Sequence, residues 1–289
     1  MCFSMCAQPK TEWFQAAATN NVMVLKQLSQ FNSFDQGDND LESTPQTITG
    51  FAGIHYAAFT GSVLALNILL EFEIEAKTQV QSIVAINKLR FILAAGTTPL
   101  MAAVAGGQEA SFQLLKTLKM KRNNDGVSAL IIAVLLDREF AIKELFNEIN
   151  LFDREGNSAI SYACLFGRLE ILKQLQELCL QQHETKIFFL RALLTKNIDG
   201  KLPVDMAMQA VDESRYSISA GQKQKCMLTV SSLMTGLQQA VDIGDVKDMG
   251  IQQKLQDLKE VYKNSEIEVE LFIEDCQEVD VKEENMIVN

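Results

Sequence analysis

Seven alanines set the terms for this chain. Ala16, Ala57, Ala103, Ala133, Ala163, Ala207 and Ala240 each stand four residues before Asn20, Gly61, Gly107, Asp137, Gly167, Val211 and Gly244. Three residues before each alanine there is an apolar residue: Trp13, Ile54, Leu100, Leu130, Ile160, Val204 and Leu237. Six of the seven closing positions hold Gly, Asn or Asp, the residue types that best tolerate a left-handed helix end. Nine residues before them stand Thr11, Ala52, Thr98, Ser128, Ser158, Leu202 and Thr235. Ser and Thr there can cap a helix by accepting a backbone N–H bond. Pro99 and Pro203 follow in the first turn, where a missing N–H costs nothing. The spacing predicts a short helix of about two turns in each unit, with an alanine that lets a neighbouring helix approach closely.

A second helix follows each closing residue. Val24, Leu25 and Leu28 repeat as Ala65, Leu66 and Leu69, then Ser111, Phe112 and Leu115, then Ala141, Ile142 and Leu145, then Ile171, Leu172 and Leu175. Five units thus carry an apolar stripe at helical spacing. Ser219 and Gln252 break it in the last two.

The segments "GTTPLMAAVAGG" (96–107), "GFAGIHYAAFTG" (50–61) and "DREGNSAISYACLFG" (153–167) resemble the ankyrin repeat, a family with a T-P-L-H-x-A signature and a period near 33 residues. "DGKLPVDMA" (199–207) looks like a terminal repeat. Only His55 keeps the family's histidine; Ser161 takes that slot in its own unit. The resemblance implies an all-α fold: an ankyrin-type helical solenoid of about six or seven helix-turn-helix units. The expected repeats lie near 11–30, 50–72, 96–120, 126–149, 156–180 and 200–225, with a degenerate one at 235–262. Residues 1–10 are an N-terminal segment, and insertions fall mainly at 30–48, 71–94 and 176–197. Two insertions, "AKTQVQSIVAINKLRFILAA" (76–95) and "ETKIFFLRALL" (184–194), are apolar at helical spacing. Both predict extra helix packed on the repeats.

Charge separates the end of the chain from the rest. The net charge is −11, and residues 264–289 hold nine acids against the single base Lys282. The other 263 residues carry 25 bases and 28 acids. No basic footprint for nucleic acid exists. The acidic tail, 263–289, reads as a solvated disordered segment, or as a strand for a partner's sheet edge through "EIEVELFIED" (266–275). The longest apolar run, "ALIIAVLL" (129–136), is too short to span a bilayer. The N-terminus lacks the pattern of a signal peptide. Six scattered cysteines without a CxxC predict free thiols in a reducing compartment, cytoplasmic or nuclear.

Candidate chemistry reduces to structure. "GNSAISYACLFG" (156–167) gathers Ser158, Ser161, Tyr162 and Cys164. By position Ser158 is a cap and Cys164 a small buried hydrophobe, and no histidine in this unit could activate a nucleophile. With only His55 and His183 in the chain, no metal site or cofactor is expected. An enzyme would have to place its chemistry in 212–289, which has no histidine. Self-association through the spacing 227, 230, 234, 237 and 241 is a further reading, although a monomer is favoured.

The resemblance implies a non-enzymatic protein-interaction module, an adaptor or scaffold, that binds a protein partner on its concave face and turn tips. In such repeats the two residues before each closing position face the partner. Carried over, these are Phe59 and Thr60, Ala105 and Gly106, Leu135 and Leu136, and Leu165 and Phe166. Arg154, Glu155, Asn157 and Lys201 would rim the groove from the turns.

Overall fold

The computed structural model describes residues 8–29, 48–86, 89–180 and 183–212. The chain divides into two compact units, Met1–Arg154 and Glu155–Asn289. The degenerate repeat expected at 235–262, with Gly244, and the acidic tail lie outside the described residues.

Among the described residues of the first unit there are four helix pairs. They are α1 (Gln8–Ala18) with α2 (Val22–Leu28), α3 (Gly53–Thr60) with α4 (Val63–Glu73), α5 (Pro99–Gly106) with α6 (Glu109–Leu114), and α7 (Ala129–Leu135) with α8 (Glu139–Leu145). Short 3-10 turns, Lys116–Leu118 and Phe146–Asn150, follow the last two pairs. First helices stack in order, α1 on α3, α3 on α5 and α5 on α7, and second helices stack likewise. Burial explains the order. Gly53–Ala58, Pro99–Ala105 and Ala129–Val134 are buried on every side. A helix that is apolar all round has to be covered all round. Ala57, Ala103 and Ala133 have no exposed surface, so the alanine column is where one first helix meets the next.

In the second unit α9 (Ala159–Leu165) pairs with α10 (Leu169–Leu180), and α11 (His183–Leu194) packs on both. The next first helix, α12 (Pro203–Asp212), packs on α9, with Ala163 and Ala207 fully buried. The insertion at 184–194 is therefore the extra helix its spacing predicts.

The other insertion is not. Residues 82–93 form an antiparallel hairpin of β1 (Ser82–Ile86) and β2 (Leu89–Leu93), with Ser82 opposite Leu93 and Ile86 opposite Leu89. The described residues are thus all-α repeats plus one two-stranded ribbon. The reason lies in the burial. Ser82, Val84 and Leu93 are buried while Ala85 and Ile92 are exposed, a period of two that a helix cannot satisfy. β-branched Ile83, Val84, Ile86 and Ile92 also favour the extended chain.

Helix starts follow the caps, with two corrections. The hydroxyls of Thr98, Ser128 and Ser158 accept from the N–H groups of Met101, Ile131 and Ser161 at 3.4, 3.4 and 3.2 Å. Thr11, however, lies inside α1, which begins three residues earlier. Position 211, the one closing position without Gly, Asn or Asp, lies inside α12. Valine gives no left-handed stop there.

Candidate functional site

The end of each first helix is where the expected partner-facing residues sit. Asn20, Gly61, Gly107, Asp137 and Gly167 all have left-handed φ, at 59°, 80°, 72°, 58° and 59°. Each turns the chain from a first helix into its second. At two of these turns, in the first unit, the residue after the turn bonds the helix of the preceding repeat. The Ser62 hydroxyl donates to the Ala18 carbonyl at 2.9 Å, and Arg138 Nη2 donates to the Ala105 carbonyl at 3.0 Å. Carbonyls that a helix C-terminus leaves unpaired are satisfied by the next repeat.

This packing sorts the expected pairs. Ala105 is fully buried and unavailable to a partner. Gly106 lies against the backbone of Phe59, whose carbonyl occupies the place a Cβ would take. Phe59 is half-buried, its ring edge-on to Phe51 at 6.1 Å. Thr60 is exposed, but its hydroxyl bonds the Tyr56 carbonyl at 2.9 Å. Leu135 and Leu136 end α7 half-buried. In the second unit Leu165 and Phe166 end α9, also half-buried, and the Phe166 ring stacks on Tyr162 at 6.4 Å.

The turns ahead of the first helices form a ladder. Asn124 N–H donates to the Ala95 carbonyl and Arg154 N–H to the Asp125 carbonyl, both at 2.8 Å, in the first unit. Ile198 N–H donates to the Glu155 carbonyl at 2.8 Å in the second. The Asn123 side-chain oxygen accepts from the Asp125 and Val127 N–H groups, and that of Asn197 from those of Asp199 and Lys201. The rim residues divide accordingly. Glu155, Asn157 and Lys201 come together, because Asn157 donates to the Glu155 carboxylate at 3.2 Å and accepts from Asn197, which holds Lys201. Arg154 belongs to the first unit, its exposed guanidinium 3.9 Å from the Asp125 carboxylate.

A family model of ankyrin repeats, in three copies, matches residues 100–187. It takes in the turns at Gly107, Asp137 and Gly167. Residues 100–187 are ankyrin repeats. No curated protein matches the chain.

In these repeats Ser158 and Ser161 close a helix start and the thiols of Cys164 and Cys179 are buried. Ser158 and Ser161 bond each other's backbone N–H across the start of α9, each at 3.2 Å. Cys164 is fully buried, and burial pushes the Cys179 thiol up to about 12, so it stays protonated. His55 joins two repeats: Nδ1 accepts from the Ala52 N–H at 3.2 Å, so Nε2 carries the proton it donates to the Thr97 carbonyl at 3.0 Å. Burial lowers its pKa to about 4 despite that carbonyl. Among the described residues no group of His, Cys, Asp and Glu could hold a metal ion. No described helix is long and apolar enough to cross a membrane.

Two features escaped the sequence reading. Gly50, Gly96, Gly126, Gly156 and Gly200, each eleven residues before a closing position, share φ between 75° and 82°. They make the ladder turns, and the column was visible in the sequence. The second is a pair of buried carboxylates. Glu73 accepts from Ile54 N–H at 2.7 Å and from Trp13 Nε1 at 2.8 Å. Glu148 accepts from Leu130 N–H at 2.9 Å and Met120 N–H at 2.7 Å, and burial raises its pKa. Each carboxylate covers the second N–H of a first helix, where orphan donors and the helix dipole favour an acceptor. No local spacing announces them.

Proposed function

We propose that this chain is a non-enzymatic adaptor or scaffold that binds a protein partner on its first-helix ends and turn tips. Ankyrin repeats are in general protein-interaction modules. The observation that carries the reading is a change of burial along the helices. In α7, Ala129–Val134 are buried, yet Leu135 and Leu136 keep accessible surface. In α9, Ala163 and Cys164 have none, yet Leu165 and Phe166 do. Large apolar residues left partly accessible at a recurring position suit contact anchors, with charged turns beside them. Six scattered cysteines without a CxxC support a reducing compartment, the cytoplasm or nucleus.

The test is capture of partners with the full chain and with the Leu136→Ala, Phe166→Ala double variant, both checked for unchanged helicity. Buried apolar anchors are worth roughly 2 kcal/mol or more each, about 30-fold apiece, so binding by the double variant should fall on the order of 1,000-fold. Partner binding that survives the pair and is lost on charge reversal at Arg154 and Glu155 would place recognition on the turns alone.

A further inference from the structure

We propose that the hairpin β1–β2 is a docking edge, on which an extended acidic segment of a protein partner adds as a third strand. The proposal goes beyond the helix-end reading, since the hairpin is a separate surface of the first unit. Elsewhere the ladder turn is tight: Asn123 and Val127, or Asn197 and Lys201, close it with a backbone bond of 3.0 Å. Between α4 and α5 the chain adds two strands ahead of the Gly96 turn.

The two faces of this ribbon differ. Ser82, Val84 and Leu93 point inward and are buried, and Val80 and Ser82 press on the Gly50 turn. Ala85, Arg90 and Ile92 point outward and are exposed, with Ile92 at 59% of its surface and paired across the ribbon with Ile83. In an antiparallel pair every second residue turns its N–H and C=O away from the partner strand. Among the described residues no third strand meets either edge. Such an edge is a template for another chain unless it is blunted by proline, a bulge or charge. Here no proline lies in 76–95, and Arg90 is the one charged residue within the two strands.

Charge selects the occupant. Residues 76–95 carry Lys77, Lys88 and Arg90 with no acid, in a chain whose net charge is −11. The nearby Lys121 is already held by Glu75 at 2.6 Å. Arg90 and Ile92 lie two residues apart on one face. A strand beside β2 therefore needs an acid and a large apolar residue two positions apart on that face, a cross-strand match that basic or uncharged strands lack. "SEIEVELFIED" (265–275) has this spacing in Glu270 and Phe272, so a peptide of that sequence is a suitable probe.

The experiment adds this labelled peptide to the full chain and follows fluorescence anisotropy. Saturable binding that weakens as salt rises is expected. Arg90→Glu should weaken it about ten-fold, and a peptide carrying Glu270→Arg should recover binding to that variant. Two further peptides are N-methylated, one at Ile267, Val269 and Leu271, the other at Glu266, Glu268 and Glu270. Strand addition uses one edge of the peptide, so one analogue should bind like the parent and the other should not. Absence of saturable binding, equal binding of both analogues, or loss of both overturns the proposal. Any of these leaves the Leu136 and Phe166 test of the helix ends untouched.

Discussion

Acid should loosen the first unit through His55, and the size of the effect follows from its surroundings. The imidazole is fully buried, donates to the Thr97 carbonyl, and is held neutral by burial that lowers its pKa from 6.5 to about 4. A depressed histidine binds its proton more readily in the unfolded chain. Its contribution to stability is therefore complete above pH 6.5 and is lost as pH falls through the window from 6.5 to about 4. A tenfold change in proton affinity between the folded and unfolded chain is worth about 1.4 kcal/mol, so on the order of 2–3 kcal/mol disappears between pH 7 and pH 4.5. Other acids titrate there too. The raised pKa of Glu148 acts with the opposite sign, since protonation relieves its burial cost. The His55→Gln variant isolates the histidine, because glutamine keeps an acceptor and a donor without titrating. The assay is urea unfolding followed by the emission of Trp13, the sole tryptophan, on α1 beside α3. The stability gap between the natural chain and the variant should shrink by about 2–3 kcal/mol from pH 7 to pH 4.5. A gap that does not change with pH refutes the neutral, two-repeat bridge.

Three further outcomes follow from the packing. Glu73→Ala leaves the Trp13 indole N–H and the Ile54 N–H unpaired in the core, so it should cost about 1–3 kcal/mol and shift Trp13 emission to the red; an unchanged spectrum would contradict the bond. Gly106→Ala replaces a poor helix former by a good one, a gain of up to about 1 kcal/mol, yet the new Cβ meets the Phe59 backbone; net loss of urea midpoint is expected, and a gain would contradict the close approach. Gly167 sits at φ 59°, so Gly167→Val should cost about 1–2 kcal/mol while Gly167→Asn is mild by thermal melting, and equal melting points for the two would dismiss the left-handed turn.

The repeating helix pairs were legible in the sequence because their causes are local. An alanine at a fixed place permits close approach, Gly, Asn or Asp permits a left-handed turn, and Ser or Thr caps the next helix. The column of Gly50, Gly96, Gly126, Gly156 and Gly200 was equally local, but it lies two residues beyond the capping positions where the repeat pattern was traced. Of the candidate site, the sequence placed Leu135, Leu136, Leu165 and Phe166 at helix ends. It could not foresee that Ala105 is sealed by Arg138 and the neighbouring repeat, or that Asn157 and Lys201 meet through Asn197. Residues 76–95 show the limit most clearly. Ala76, Val80, Ile83 and Val84 stand at helical spacing, while Ser82, Val84 and Leu93 suit a strand face, so periodicity alone permits both. Tertiary structure decided for the hairpin, because the Gly50 turn receives Val80 and Ser82, and β1 finds its partner in β2. Glu73 and Glu148 were beyond any local rule, since a buried carboxylate is stable only where folding brings distant N–H donors to it.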